Sequence, residues 1–176
     1  GAGFSLSRVF AAGGMSVVIT KLDTSRNVVS HRWPYFLPDG KHFLYNTRVA
    51  AAGVSEADGI FLTSLDSTFK SRLLLLNVSS SMAYSNGHLL FVREQTLLAR
   101  PFDVKQLEFT DETFPIAKEV HFWSGTSKAS FSISDNGILA YQTGAVAEGG
   151  AFVWYDRSGK QVGAISRLST YNDLRL

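Results

Sequence analysis

The sequence predicts an all-β fold assembled from repeated four-stranded antiparallel sheets, and three observations predict it. The first is a pattern that occurs three times. Tyr35-Phe36-Leu37-Pro38-Asp39-Gly40-Lys41-His42-Phe43-Leu44-Tyr45, Ala83-Tyr84-Ser85-Asn86-Gly87-His88-Leu89-Leu90-Phe91-Val92 and Phe131-Ser132-Ile133-Ser134-Asp135-Asn136-Gly137-Ile138-Leu139-Ala140-Tyr141 are each an apolar run, a turn signal and a second apolar run. The second is the spacing of the turn glycines, Gly40, Gly87 and Gly137, which lie 47 and 50 residues apart, close to the roughly 40 to 50 residues of a propeller repeat. The third is a further pair of apolar runs after each hairpin. One ends in Asp, at Gly59 to Asp66, Thr96 to Asp103 and Ala151 to Asp156; the other covers Arg72 to Asn77, Phe114 to Val120 and Gln161 to Ile165. Four strands per unit is the blade plan of a β-propeller.

Each element follows from local chemistry. Asp39-Gly40, Asn86-Gly87 and Asn136-Gly137 supply the positive φ angles that a two-residue hairpin demands, so each is expected to join two antiparallel strands. The repeat then divides the chain into the end of one blade over 1–22, blades over 31–78, 79–121 and 128–168, and the start of another over 169–176. Residues 4 to 20, with apolar runs on either side of Gly13-Gly14, are expected to be the third and fourth strands of the first of these, and Tyr171 to Leu176 a first strand. Three blades and two part-blades fall short of the about four to eight that close a ring. The expected architecture is therefore a propeller segment within a larger domain.

Composition limits the function. The chain is 45% hydrophobic and 12% aromatic, the profile of a protein with a full core. Its net charge is +2, with scattered basic residues and no basic-aromatic stripe, so nucleic acid is not an expected partner. No apolar stretch approaches the roughly 20 residues of a membrane span. The absence of cysteine excludes disulfides, thiolate metal sites and cysteine nucleophiles.

Catalytic motifs are missing. The sequence has no G-x-S-x-G elbow, no phosphate-binding G-x-x-x-x-G-K-[ST] loop, no H-E-x-x-H and no kinase H-R-D or D-F-G; His31-Arg32-Trp33 reads as the entry to a first strand. No catalytic residue, cofactor or metal ligand is expected. His31, His42, His88 and His121 are too far apart to offer paired ligands from one strand, and His42 and His88 read as hairpin residues. Asp39 and Asp135 belong to turns, where the carboxylate caps nearby N–H groups. Asp66, Asp103 and Asp156 end third strands and are expected to cap the turn into the fourth. The aromatic residues of first and second strands are expected to fill the space between sheets. Phe122 and Trp123 differ, because they fall in the Val120 to Lys128 connection and offer a contact patch. Asn77-Val78-Ser79 fits the glycosylation acceptor pattern, a three-residue match of little specificity.

The string Phe36 to Tyr45 resembles the S-P-D-G-x-x-hydrophobic-hydrophobic-Y repeat of TolB-like, WD40-like (PD40) propellers, with the Ser-Asn-Gly and Ser-Asp-Asn-Gly turns as weaker versions. His31-Arg32-Trp33-Pro34-Tyr35-Phe36-Leu37-Pro38-Asp39-Gly40, Leu89 to Asp103 and Val153-Trp154-Tyr155-Asp156-Arg157-Ser158-Gly159-Lys160 are similar to the C-terminal propellers of bacterial eukaryotic-type serine/threonine protein kinases. That resemblance implies an extracytoplasmic sensing or protein-binding module and carries no catalytic role to any residue here. Related propellers occur in TolB-type periplasmic scaffolds and as gating domains of prolyl-oligopeptidase-type peptidases, whose triad would lie in a separate domain.

The function expected from these readings is non-catalytic binding of a protein or small ligand, at a rim or the central channel of the propeller. The longer connections, Arg48 to Asp58, Phe122 to Lys128 and Thr143 to Gly150, are the candidate contact loops. The remaining blades of the same propeller are the other expected partner. Apolar sheet faces near Phe4 to Phe10 and at Leu174 are expected to lie open in residues 1 to 176 alone.

Overall fold

Apolar residues alternating on either side of a glycine turn can bury one or both faces only as paired strands, and the chain folds accordingly. The structure, a computed structural model, describes residues 4–50, 58–66, 68–123, 125–144, 153–155 and 160–164. Among them every regular element is a strand, apart from one 3-10 turn at Thr24–Arg26. Residues Gly1–Thr143 form one compact unit and Gly144–Leu176 another.

In the first unit, β1 (Ser7–Arg8) and β2 (Val17–Val18) form a short antiparallel pair, much briefer than the Phe4 to Phe10 strand the sequence suggests. Phe4 instead bridges Ser30 in parallel. A four-stranded antiparallel sheet follows, built in chain order from β3 (Val28–Phe36), β4 (His42–Val49), β5 (Gly59–Ser64) and β6 (Arg72–Leu76). Its register places Leu44 opposite Leu62 and Asn46 opposite Ile60, while Phe43 faces Thr63 and Tyr45 faces Phe61. Because side chains alternate across a strand, the first set lines one face and the second set the other.

The second sheet has five strands, β7 (Met82–Ser85), β8 (His88–Arg93), β9 (Thr96–Asp103), β10 (Glu108–Phe109) and β11 (Phe114–Ala117). Both β10 and β11 pair with β9; the fourth strand expected at Phe114 to Val120 is present as β11, ending at Ala117, and β10 is an additional short strand ahead of it. The cause is local. Asp103 accepts the N–H groups of Lys105 and Gln106 at 2.7 and 3.1 Å, which turns the chain at once and pairs Phe109 with Phe102. The chain leaves β9 after Thr110 and rejoins it at Phe114 opposite Ala99, with a register shift between Pro115 and Ala117. Proline has no N–H for a ladder and is tolerated on such an edge.

Two hairpins complete this unit: β12 (Phe122–Trp123) with β13 (Lys128–Ala129), and β14 (Phe131–Ile133) with β15 (Leu139–Tyr141). The connection expected over 122–128 is thus a small hairpin of its own. In the second unit β16 (Val153–Tyr155) pairs with β17 (Gln161–Ala164). Asp156, the Thr143 to Gly150 loop beyond Gly144, the interior of the Arg48 to Asp58 loop and the strand expected at Tyr171 to Leu176 lie outside the described residues.

Two apolar cores hold the first unit together. Leu44, Ile60, Leu62 and Leu75 of the four-stranded sheet meet Met82, Leu89, Phe91 and Phe102 of the five-stranded one. The opposite face of the latter, with Leu90, Val92, Leu97 and Ala99, packs against Val120 and Ala129 and is flanked by Phe131, Ile133 and Leu139. The sheets therefore pack face to face in the order of the chain. Hydrogen bonds across them recur at nearly equal sequence separations. Tyr35 Oη donates to the Tyr84 carbonyl at 3.0 Å and Ser85 Oγ to the Ser134 carbonyl at 2.8 Å, each spanning 49 residues. The Ser79 and Ser127 hydroxyls lie 2.8 Å apart and Ala129 N–H donates to Ser81 Oγ at 3.0 Å, each spanning 48.

The three glycine turns are not alike. Asn86 and Gly87, with φ of 46° and 75°, make the expected two-residue turn between paired Ser85 and His88. At Gly40 the connection runs over Pro38 to Lys41, closed by Leu37 N–H to His42 O at 2.9 Å and Gly40 N–H to Leu37 O at 3.0 Å. A two-residue turn at Asp39-Gly40 would need an N–H from Pro38, which has none. At Gly137 the loop has three residues, with Ser134 N–H donating to Ile138 O at 3.0 Å and Gly137 N–H to Ser134 O at 2.9 Å. Gly40 and Gly137 alone carry the positive φ there, 65° and 86°, the pattern of a type I turn followed by a left-handed residue.

A Cβ at Gly40 meets open space, whereas one at Gly137 meets the end of the Asn86 side chain, which can move aside. Gly40→Val and Gly137→Val are each expected to cost about 1 to 3 kcal/mol through backbone strain at positive φ. Urea denaturation of both variants checks this; unchanged midpoints at both sites would contradict the turn assignment.

Candidate functional site

The carboxylates singled out in the sequence act on their own turns. Asp39 Oδ1 accepts from Lys41 and His42 N–H, both at 2.9 Å, and Oδ2 lies 2.5 Å from His42 Nδ1. Burial pushes the Asp39 carboxyl up, but the bonds from His42 and Lys41 outweigh it and hold the carboxyl below its usual range. Asp66 is lowered by the Thr68 N–H and hydroxyl, and Asp103 by the N–H groups of Gln106 and Lys105. His88 closes its turn likewise, with Nδ1 2.7 Å from the Asn86 carbonyl and its ring edge-on to Phe114 at 5.7 Å. His42 meets Phe69 in the same way at 4.9 Å. Among the described residues no three His, Cys, Asp or Glu side chains gather as a metal site.

A buried polar seam runs along β3 and β4, and sequence reading missed it. His31, which the sequence places at a strand entry, is buried within β3. Its Nδ1 lies 2.8 Å from Thr20 Oγ1, its N–H donates to the Phe4 carbonyl at 2.8 Å, and its ring packs on Tyr45 at 4.6 Å. Burial lowers its pKa to about 4. Asn46, fully buried, donates through Nδ2 to the Gly59 and Val78 carbonyls at 3.1 and 2.7 Å. Arg48 and Asp58 form a buried ion pair at 2.7 Å, and Asp58 also accepts the Val49 N–H at 2.8 Å. The signal available in the sequence was the run Ser30-His31-Arg32, polar on both faces of a strand, against Asn46-Thr47-Arg48 on its neighbour.

Phe122 and Trp123, the proposed contact pair, are half-buried rather than open. Trp123 packs edge-on to His121 at 4.8 Å, and Phe122 borders the second core. Their hairpin is held by β3. Trp33 sits at φ 54° inside a register shift between Arg32 and Tyr35, a bulge that re-aims its side chain. Its Nε1 donates to the Thr126 carbonyl at 3.0 Å, Arg32 Nη1 donates to the Gly125 carbonyl at 3.2 Å, and Lys128 Nζ lies 5.8 Å from the indole centre.

Beside this hairpin is a cleft of about 370 Å³ lined by Asn77, Ser79, Val92, Arg93, Glu94, Gln95 and Phe122. It has the size of a small-ligand site. Asn77, Glu94 and Gln95 all hold positive φ, 57°, 50° and 60°, a cost that other residue choices would relieve. Arg93 Nη2 donates to the Leu76 carbonyl at 3.1 Å, and Val120 N–H to the Gln95 carbonyl at 2.8 Å. The cleft therefore combines a guanidinium, a carboxylate, two amides and an aromatic ring on a braced frame, with Ser79 Oγ already engaged by Ser127. Ser79 is buried, which also closes the hydroxyl of the Asn77-Val78-Ser79 pattern. Of the six turn residues named from the sequence, none lines this cleft.

No protein-family model, curated protein or solved structure matches the chain at a significant level.

The burial of His31 makes a pH prediction. The folded state keeps the imidazole neutral, whereas the unfolded chain takes up a proton near 6.5. Stability is therefore complete above about pH 6.5 and falls as pH drops from there towards about 4. Urea midpoints between pH 7 and 4.5 are expected to fall, and His31→Gln to flatten the part of that slope due to this residue. An unchanged slope would contradict a buried neutral His31.

Proposed function

We propose that the chain is a non-catalytic β-propeller segment that binds a protein or small ligand in the cleft between the five-stranded sheet and the β12–β13 hairpin. The observation that carries this reading is the recurrence of cross-sheet hydrogen bonds at 48 and 49 residues, which supports a repeat scaffold whose connections are free to vary. The cleft is made of such connections: the β6–β7 link, the β8–β9 turn and the start of β12. Its mixed polar and aromatic lining suits a peptide or another ligand with carbonyl, amide and apolar groups. The resemblance to kinase-attached propellers makes an extracytoplasmic sensor the setting for such binding.

The test is selection of a displayed peptide library on the purified chain, followed by fluorescence anisotropy on the enriched peptides. Arg93→Ala combined with Phe122→Ser is expected to weaken binding about tenfold or more, the scale of losing a central contact. Enriched peptides that bind wild type and variant equally, or a library with no enrichment, would overturn the reading.

A further inference from the structure

The cleft beside the β12–β13 hairpin holds two opposite charges that do not meet. Arg93 and Glu94 both line it, yet among the described residues neither forms an ion pair with the other or with any third group. The guanidinium is braced from the protein side. Its Nη2 donates to the Leu76 carbonyl at 3.1 Å, its carbon lies 5.9 Å from the centre of the Phe91 ring, and its buried Nε has no partner. A guanidinium carries several N–H donors in a fixed fork, so one hydrogen bond leaves most of that capacity unused. Among the described residues the Glu94 carboxylate accepts no hydrogen bond, and the side-chain amides of Asn77 and Gln95 make none.

The turn that carries Glu94 keeps its side chains at a cost. Glu94 and Gln95, at φ 50° and 60°, join the directly paired Arg93 and Thr96. Asn86 and Gly87, at φ 46° and 75°, make the same two-residue connection between Ser85 and His88. Asn and Gly are the residues that such a turn favours. One end of β8 thus has the favoured dipeptide, while the end that borders the cleft has two long polar side chains in strained backbone. Strain retained at a cleft points to recognition by the side chains it presents.

We propose that the segment bound in this cleft is a peptide of mixed charge, with an acidic side chain on Arg93, a basic one on Glu94 and an apolar residue between them against Phe122. The proposal rests on the ligand-binding reading and names the chemistry that the cleft selects. A carboxylate matches the guanidinium fork, and the opposite charge next to it disfavours a purely acidic or a purely basic peptide.

Two capped peptides of opposite order test it, acetyl-Ala-Asp-Leu-Lys-Ala-amide and acetyl-Ala-Lys-Leu-Asp-Ala-amide. They are titrated into the isotope-labelled full chain and followed by NMR, beside forms in which Asn replaces Asp or Gln replaces Lys. One of the two orders is expected to bind, about tenfold or more tighter than its Asn form and about two- to fivefold tighter than its Gln form, the scale of an exposed ion pair. Arg93→Gln is expected to abolish the first difference and keep the second, and Glu94→Gln to do the reverse. Glu94 is exposed on its turn, so Glu94→Gln is expected to keep the wild-type spectrum, and its selective loss of the Lys preference supports the proposal even if Arg93→Gln does not fold. Equal binding of charged and neutral peptides overturns the proposal and leaves the cleft as a binding site, as does a charge preference that persists in Glu94→Gln. Failure of all these peptides to bind also overturns it, and the peptides enriched by display selection then decide separately whether the cleft binds a peptide at all.

Discussion

The structure depends on one packing constraint: the four-stranded sheet, apolar on both faces, cannot be stable alone. Leu44, Ile60 and Leu62 on one face are buried only because Leu89 and Phe91 of the next sheet are laid against them. That sheet in turn presents Leu90, Val92 and Leu97 on its other side, and these need Val120, Ala129 and their neighbours. Each layer creates the demand for the next. Apolar burial is non-directional and does not by itself set register. Tyr35 to Tyr84, Ser85 to Ser134 and Ser79 to Ser127 supply the direction, since a hydroxyl left without its partner between packed sheets is costly.

The polar seam around His31, Asn46, Arg48 and Asp58 meets a different requirement. Here β3 to β5, the Val78 backbone and the Thr20 segment come together, and side chains bond several of their backbone groups, while Asn46 Oδ1 is buried without a partner. Asn46 serves two carbonyls of different elements, and Asp58 serves both a backbone N–H and the Arg48 guanidinium. Arg32 beside this pair has its pKa lowered by burial and by Arg48. A buried ion pair is a weak source of net stability, but removal of one partner strands the other charge. The seam therefore specifies how the N-terminal segment and the first sheet meet more than it strengthens them.

Much of the strand order was legible in the sequence, because period-2 alternation and the spacing of Gly40, Gly87 and Gly137 are local signals. All-β class, hairpin pairing at all three glycines, and Asp66 and Asp103 as turn caps followed from them. Turn geometry was less legible: Pro38 and the Ser134 hydroxyl decide loop length through bonds that a dipeptide signal does not contain. The additional strand β10 was also missed, since Glu108-Phe109 is too short to register as a strand and exists through the Asp103 turn. The cleft by Phe122 was legible only at that one residue. Its other walls, Asn77, Arg93, Glu94 and Gln95, come together through sheet packing, and nothing in their spacing announces it. The buried state of His31 was hidden for the same reason, as Thr20 and Tyr45 reach it from other elements.

The central claim is that the four- and five-stranded sheets form one cooperative stack held by their shared core. Native-state hydrogen exchange read by NMR tests this most directly. The amides of Leu44 and Leu62 in the first sheet and of Leu90 and Leu98 in the second should exchange through a common opening, with equal free energies and equal dependence on added denaturant. Two distinct opening energies, with one sheet exchanging while the other stays protected, would contradict it.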